Sequence, residues 1–262
     1  MKYHHLYKNV KQPIFDSHFH IIDYQFPLVS NQGYAPPEFT CDDYLEIARP
    51  LNIVGGTVVS GSSQKFDQTF LMAALNRLGP NFVGVTQLPV DITEKEIHQL
   101  NLKGVRAIRF NLKRCGMIDP HDIKLLAKKV FAVAGWHSEF YIDPKDLIDL
   151  YPLLSSLPAI SIDHLGLGKA GFPYLLKLVE QGAKVKASGF GRVDFHIASA
   201  LQEIYLTDEN ALMFGTDLPS TRAARPFQKS DIELLTSALP EEAETKILYG
   251  NAVKFYRVSI PD

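Results

Sequence analysis

The chain has 262 residues, of which 46% are hydrophobic and 21% are charged, and its formal net charge is -2. This composition is typical of a globular enzyme, and the small net charge excludes a global attraction to nucleic acid or to an anionic membrane surface. The apolar runs are far shorter than a bilayer span and residues 1–5 form no signal-peptide apolar segment, so we expect a cytoplasmic protein with no nucleic-acid or membrane partner.

Short apolar segments alternate with amphipathic ones along the whole chain. Eight of them predict strands, at 14–18, 54–59, 82–87, 105–110, 138–142, 160–163, 184–188 and 212–216. Amphipathic stretches at 66–78, 120–134 and 173–181 predict helices between strands. Strands that alternate with helices form right-handed units with parallel strands, so the expected fold class is α/β, a TIM (β/α)8 barrel.

We expect a single domain over residues 1–262, with the barrel core at about 13–256. An open doubly wound sheet is the alternative architecture. The first predicted strand is not followed by Gly-x-Gly-x-x-Gly, and no phosphate loop is present, so a nucleotide cofactor is disfavoured. The two cysteines form no Cys-x-x-Cys pattern, which predicts neither a disulfide framework nor a thiolate zinc site.

The first predicted strand ends in two histidines, His18 and His20. Period-two alternation places them on one face together with Ile14 and Asp16. Two adjacent imidazoles suit a metal, a proton or an oxyanion, although an isolated His-x-His pair is as often structural. The following loop, 27–37, is expected to roof a cavity, with Tyr34 as a substrate contact.

The fourth predicted strand carries Arg109 and Asn111 on one face at its carboxyl end. An arginine in so apolar a strand needs an anionic partner or a wet cavity. For Arg106 and Arg114, an ion pair with a neighbouring Asp or Glu is as well supported as a role in the cavity. For Arg109, and for Arg192 after the seventh strand, we expect a role in the cavity instead. Guanidinium groups bind carboxylates bidentately, which predicts an anionic small-molecule substrate.

The fifth and seventh predicted strands add further polar side chains. Tyr141 could donate a hydrogen bond to substrate, and Asp143 is either a fourth metal ligand or, in the favoured interpretation, an N-cap before a proline. Lys186 is expected to face inward, in a structural ion pair with a carboxylate such as Asp163. Ser188 follows on the same strand and is expected at the substrate-binding rim, with Asn111, Arg109 and Arg192.

The sixth predicted strand ends in Asp163-His164-Leu165-Gly166, and the eighth ends in Gly215-Thr216-Asp217. The carboxyl ends of barrel strands meet at one rim, so His164 and Asp217 are expected beside the two histidines of the first strand. Taken singly, His164 is a core or capping residue and Asp217 a turn residue. Together these side chains suit Zn²⁺ with an open position for water, and a rim carboxylate can also act as a general base.

These segments, taken in order, resemble the amidohydrolase superfamily: Asp16-Ser17-His18-Phe19-His20, Gly104-Val105-Arg106-Ala107-Ile108-Arg109-Phe110-Asn111, Asp163-His164-Leu165-Gly166, Lys186-Ala187-Ser188-Gly189 and Gly215-Thr216-Asp217. More narrowly, the chain is similar to the amidohydrolase-2 branch, which contains 2-pyrone-4,6-dicarboxylate lactonase and sugar-lactone hydrolases. The resemblance implies a distorted (β/α)8 barrel. It also implies that His18, His20 and His164 surround the scissile carbonyl, or a metal beside it, while Asp217 activates water. Arg109, Arg192 and Tyr141 would then contact the substrate.

Three departures from the family pattern refine this expectation. A histidine after the fifth strand and a bridging lysine after the fourth are both missing, so a binuclear site is not expected. We expect either one divalent metal, with zinc as the first choice, or an enzyme that works without a tightly bound metal. After Asp217, Leu218-Pro219-Ser220-Thr221-Arg222 stands where the family often has Trp-Pro-His, which indicates a different substrate.

The leading functional hypothesis is a hydrolase that opens the ring of a small, carboxylate-bearing lactone by attack of water activated by Asp217. One alternative is a metal-dependent decarboxylase or hydratase of an unsaturated or aromatic carboxylic acid, which would need a tightly held ion. The other is a non-catalytic binding barrel. The sequence leaves the oligomeric state open, a homo-oligomer included.

Overall fold

Eight parallel strands, paired in chain order from β1 to β8, form the centre of the protein. The computed structural model describes residues 12–260. The strands are β1 Ile14–Phe19, β2 Ile53–Val59, β3 Phe82–Thr86, β4 Val105–Asn111, β5 His137–Tyr141, β6 Ile160–Ile162, β7 Lys184–Ala187 and β8 Leu212–Phe214. All eight predicted strands are therefore confirmed, and their ends shift by at most two residues.

Helices follow the strands and cover the outside of the sheet. They are α1 Cys41–Ala48, α2 Thr69–Leu78, α3 Glu94–Leu102, α4 Leu112–Cys115, α5 Pro120–Ala134, α6 Leu147–Leu154, α7 Phe172–Glu180, α8 Ile197–Thr207, α9 Lys229–Ala238 and α10 Asn251–Tyr256. The bounds of α5 are those predicted, because Asp119 caps its first turn, Pro120 occupies the first helical position and Gly135 ends it in the left-handed conformation. No helix within residues 12–260 is long and apolar enough to cross a membrane.

The barrel closes between β8 and β1 through loop backbone, since residues 12–260 contain no ladder between these two strands. The Asp217 amide donates to the His18 carbonyl at 2.7 Å, and the His20 amide donates to the Leu218 carbonyl at 2.7 Å. This seam makes the structure the distorted (β/α)8 barrel that was expected. It also fixes the histidine segment directly beside the segment after β8.

The strict alternation predicted for the first strand is wrong. The register between β1 and β2 shifts between Asp16 and Phe19, as in a β-bulge. Asp16 consequently contacts the Tyr44 hydroxyl of α1 at 3.2 Å, on the helix side, and Phe19 stacks on the same tyrosine ring at 3.7 Å. His18 instead points toward the strand-end rim. The bulge therefore separates a structural aspartate from the imidazoles that follow it.

The amino-terminal end of the barrel is closed by α10. Tyr256 of this helix is fully buried in a cluster of interior side chains from several strands: Phe15, Val59, Val83, Val85, Ala107 and Met213. Its hydroxyl bonds to the Glu139 carboxylate in the middle of β5. A larger apolar cluster fills the layer between strands and helices. Side chains thus fill both layers, and the carboxyl-end rim is where barrel active sites lie.

Candidate active site

Three imidazoles converge on one carboxylate oxygen at the rim. The Nε2 atoms of His18 and His20 each lie 3.9 Å from Asp217 Oδ1, and that of His164 lies 3.8 Å from it. His18 lies at the carboxyl end of β1 and His20 directly after it, while His164 follows β6 and Asp217 follows β8. The structure thus brings together the four residues that the sequence predicted as one site.

Each imidazole is held through its other nitrogen. His20 Nδ1 lies 2.7 Å from the Val59 carbonyl, which can only accept, so this nitrogen carries the proton. His164 Nδ1 lies 2.9 Å from the Ser188 hydroxyl. His18 Nδ1 lies 3.4 Å from Asp163 Oδ1 and 3.2 Å from Lys186 Nζ. In neutral His20 the lone pair of Nε2 therefore faces the carboxylate oxygen of Asp217.

Burial sets the protonation state of these histidines. Removal from water, reinforced by nearby positive charge, lowers the pKa of His20 and of His164 well below its usual value. Burial also lowers the pKa of His18, although the neighbouring Asp163 carboxylate opposes that shift. All three side chains are consequently neutral at pH 7. A neutral imidazole is the form that binds a metal ion.

The donor set fits one divalent metal ion. His18 Nε2 and Asp217 Oδ1 are buried and have no hydrogen-bond partner among residues 12–260. The ligand atoms of His18, His20 and Asp217 lie within 4.8 Å of one another, as do those of His18, Asp163 and His164. The lone pair of His20 Nε2 faces Asp217 Oδ1 at 3.9 Å with no hydrogen between them, which favours a cation in the space they share. Imidazole nitrogen and carboxylate oxygen are donors that zinc and similar ions take.

The expectation that Arg109 and Arg192 would remain free of acidic partners is wrong. Arg109 Nη2 binds Asp163 Oδ2 at 2.8 Å, and Arg192 Nε binds Asp217 Oδ2 at 2.6 Å. Burial alone would raise the pKa of Asp163, but neighbouring positive charges, Arg109 among them, hold this pKa well below its usual value. Both arginines still line the cavity, each with its charge largely compensated.

The remaining predicted substrate residues occupy different positions. Tyr141 and Asn111 line the cavity from neighbouring strand ends, since they pair in register between β4 and β5. Tyr141 packs edge-on against His164 at 5.4 Å. Ser188 lies behind His164 and bonds to it, so its contact is with the imidazole. Ser188 is therefore placed to orient the histidine.

Asp143 lies away from the four converging side chains. Its Oδ2 pairs with Lys113 at 2.7 Å, and its Oδ1 accepts from the Lys145 amide at 3.2 Å in a turn. The favoured interpretation as a helix cap is also wrong, since the next helix, α6, begins only at Leu147 after Asp146. A local turn and an ion pair account for this aspartate.

A buried ion-pair network lies beneath the site. Lys186 Nζ contacts Glu139 Oε2 at 2.5 Å and Asp163 Oδ1 at 3.7 Å, which agrees with the structural ion pair predicted for this lysine. Burial alone would raise the pKa of Glu139, but Lys186 lowers it to about 2. The sequence predicted Asp163 as a partner of Lys186 but not its further contacts with Arg109 and His18. The only signal was its position next to His164.

A cavity opens beside the converging side chains, and His20 and His164 are among its lining residues. The loop predicted to be its roof is present there: Tyr34 and Pro36 line the cavity together with Arg114, Arg222 and residues that follow β2. Antiparallel bridges join Ile22 to Phe39 and Asn31 to Tyr34 within this segment. The cavity is therefore enclosed from the side of residues 22–39, which we name the roof loop.

Gly189 supports His164, and its replacement should be costly. A Cβ at this position would lie 2.6 Å from His164 Nδ1 and 3.0 Å from Arg192 Cδ, and its φ of +57° is left-handed. We expect Gly189→Ala to destabilise the protein by about 2–4 kcal/mol through backbone strain and steric overlap. Chemical denaturation measures this difference.

Gly33→Ala is the control, because Gly33 has a φ of +73° and a methyl group added there would meet no atom within 4 Å. The Gly33→Ala variant should lose only the free energy of backbone strain, about 1–2 kcal/mol of folding stability. Equal losses for the two variants would contradict the proposed contact with His164.

Comparison with known proteins gives a consistent picture. A family model described as Amidohydrolase matches residues 15–258. A 2-pyrone-4,6-dicarboxylate hydrolase of Comamonas testosteroni is 27% identical over 171 residues, which cover 61% of this chain and 56% of that protein. The match thus spans little more than half of that relative's length. A 4-sulfomuconolactone hydrolase of Rhizobium radiobacter is 25% identical over 275 residues, which cover 93% of this chain and 89% of that protein.

A solved structure from Pseudomonas putida, described as a candidate 2-pyrone-4,6-dicarboxylic acid hydrolase, is similar over the whole barrel. Its TM-score is 0.82 at 25% identity, covering 95% of this chain and 99% of that one. The family model covers every strand and all four residues that converge at the rim. The chain belongs to the amidohydrolase family.

Proposed function

We propose that this protein is a hydrolase that opens the ring of a small, acid-bearing lactone, with Asp217 as the base that activates water. The convergence of three imidazole Nε2 atoms on Asp217 Oδ1 carries the proposal. The relatives named as 2-pyrone-4,6-dicarboxylate hydrolase and 4-sulfomuconolactone hydrolase support a lactone as substrate. Arginines in the cavity lining favour an anionic one.

In the proposed mechanism Asp217 Oδ1 takes a proton from water while the water oxygen bonds to the lactone carbonyl carbon. The ring C–O bond then breaks, and the ring oxygen takes up a proton. Arg192 binds Oδ2 of the same carboxylate, which leaves Oδ1 aimed at the imidazoles. Tyr141 and Asn111 are positioned in the cavity wall to orient the substrate.

His18, His20, His164 and Asp217 would hold the divalent metal, for which we propose zinc. When bound, such an ion supplies Lewis acidity toward a carbonyl oxygen and lowers the pKa of bound water. The protein's own contribution is to keep the imidazoles neutral by burial and oriented through Val59 and Ser188. These contacts are of the kind that fix metal-binding histidines in place.

The test is a panel of lactones assayed by proton release, with protein stripped of metal and protein reloaded with zinc. The panel contains 2-pyrone-4,6-dicarboxylate, 4-sulfomuconolactone and the neutral parent 2-pyrone. We expect turnover of at least one acid-bearing lactone and slower turnover of the neutral one. Elemental analysis of the purified protein identifies the metal.

The same panel distinguishes the alternatives. Release of CO2 from an unsaturated or aromatic acid by protein with a full equivalent of metal, without ring opening, would replace hydrolysis by decarboxylation. Addition of water to a double bond would indicate a hydratase. If compounds stabilise the protein but none is turned over, the remaining hypothesis is a non-catalytic binding barrel.

A further inference from the structure

The positive charges in the cavity lining are unevenly compensated. Four arginines line the cavity, and no Asp or Glu is among its lining residues. Arg109 and Arg192 pair with the buried carboxylates described above. Arg114 and Arg222 form no ion pair with any residue from 12 to 260. The available positive charge therefore lies at the mouth of the cavity, away from the converging imidazoles.

Arg222 is fixed by neutral groups of the roof loop. Its Nη2 donates to the Asn31 carbonyl, and its Nη1 lies 3.4 Å from both Asn31 Oδ1 and Gln32 Oε1. Its guanidinium carbon lies 4.4 Å from the centre of the Tyr34 ring. These contacts hold the side chain in place without neutralising it, and two of its five N–H groups have no partner among residues 12–260. A guanidinium group that is charged, held in place and left with free N–H donors is preorganised to bind an anion.

The backbone near Arg222 is strained in the same region. Asp217, Ser220 and Arg222 all have left-handed φ values, of +60°, +64° and +59°. Residues other than glycine avoid this conformation, which persists where the surrounding structure imposes it and is concentrated at ligand-binding sites. The segment after β8 thus directs Asp217 toward the imidazoles and places Arg222 in the cavity lining.

Arg114 lines the same cavity and is joined to the roof loop through its backbone. Its carbonyl accepts hydrogen bonds from Asn31 Nδ2 at 3.2 Å and Gln32 Nε2 at 3.4 Å. Asn31 and Gln32, which bond to Arg222, are therefore also attached to the backbone of Arg114. Both arginines are half-buried and line the cavity. An acidic group that entered here would meet two uncompensated guanidinium groups.

We propose that Arg222 is a specificity residue that binds a second acidic group of the substrate, remote from the scissile carbonyl, with Arg114 facing the same group. The proposal deepens the proposed function and rests on it for the identity of the reaction. The proposed ligand is a ring compound that carries two acidic oxygen groups. One lies toward the mouth of the cavity, beyond the reach of the compensated pair Arg109 and Arg192.

Binding of two stable probes tests this without hydrolysis. Benzene-1,3-dicarboxylate carries two acidic groups and benzoate carries one, so their Kd values, measured by calorimetry, isolate the second group. We expect Arg222→Met to weaken benzene-1,3-dicarboxylate binding by about tenfold to a hundredfold and benzoate binding by less than about threefold. Arg222→Lys should be intermediate, because it keeps the charge without the fork. In turnover, KM for 2-pyrone-4,6-dicarboxylate and for 4-sulfomuconolactone shows whether the group is a carboxylate or a sulfonate.

Arg77→Met is the matched control, since Arg77 pairs with Asp42 on the surface and lies outside the cavity lining. It should leave both Kd values unchanged. Equal weakening of both probes by Arg222→Met would show that Arg222 only supports the roof loop and would overturn the proposal. Absence of benzene-1,3-dicarboxylate binding by the unmodified protein would overturn it as well. A selective loss of the dicarboxylate in a protein that hydrolyses no lactone would instead remove the proposed function and keep the assignment of Arg222.

Discussion

Replacing Asp217 by Asn should lower kcat for lactone hydrolysis by about 10³-fold or more. The amide introduced by this substitution has the same shape as the carboxylate but can neither accept a proton from water nor contribute a negative charge toward a metal ion. The amide oxygen can still accept the hydrogen bond that Arg192 Nε gives to Asp217 Oδ2 at 2.6 Å, so the fold should persist. Steady-state kinetics on the best lactone, with circular dichroism as a fold check, measures both effects.

Asp143→Asn is the matched control for that experiment. Asp143 is also an aspartate that follows a barrel strand, but its carboxylate contacts Lys113 and lies outside the cavity lining. This variant should retain kcat within about twofold, because it loses only a part-exposed ion pair. Near-normal hydrolysis by Asp217→Asn would rule out the proposed role of this carboxylate as the base.

Replacing Lys186 by Met should cost about 3–5 kcal/mol of folding stability, because it leaves a buried carboxylate without its cation. Both Lys186 and Glu139 are fully buried, and the lysine lowers the pKa of Glu139 to about 2, so this carboxylate is ionised at neutral pH. The double variant Lys186→Met/Glu139→Gln should recover part of the loss, since the uncompensated charge is then removed. Urea denaturation of the single and double variants gives the coupling free energy.

Lys184→Met, two residues earlier in β7, is the control for this prediction. Lys184 pairs with Asp208 at 3.4 Å near the surface, and such pairs contribute about 0–1 kcal/mol. Losses of the same size at Lys184 and Lys186 would show that the buried network is no more important than a surface pair.

The sequence predicts most of the fold because buried parallel strands appear as apolar runs between amphipathic segments. It also predicts which side chains meet at the rim. Once eight strands form a barrel, His18, His164 and Asp217 must share one end because each lies at or just after the carboxyl end of a strand. Bounds such as those of α5 follow from local capping residues, which act over one turn.

Side-chain pairing could not be predicted in the same way, because it depends on neighbours that are distant in sequence. Arg109 pairs with Asp163, 54 positions away, and nothing local to either residue indicates that contact. The bulge in β1 is a second example: it is a shift against β2 that alternation within one strand cannot show. That Arg222 has no acidic partner among residues 12–260, whereas Arg109 and Arg192 each have one, also depends on such distant contacts.

The seam between the first and last strands also determines when the protein becomes active during its synthesis. Asp16 and Thr216, which bond across this seam, are 200 positions apart, and α10 follows later still. A nascent chain that ends before β8 contains His18 and His20 but still lacks Asp217. Contacts of such long range slow folding, so catalytic activity should be the last property regained on refolding from denaturant, after helical circular dichroism.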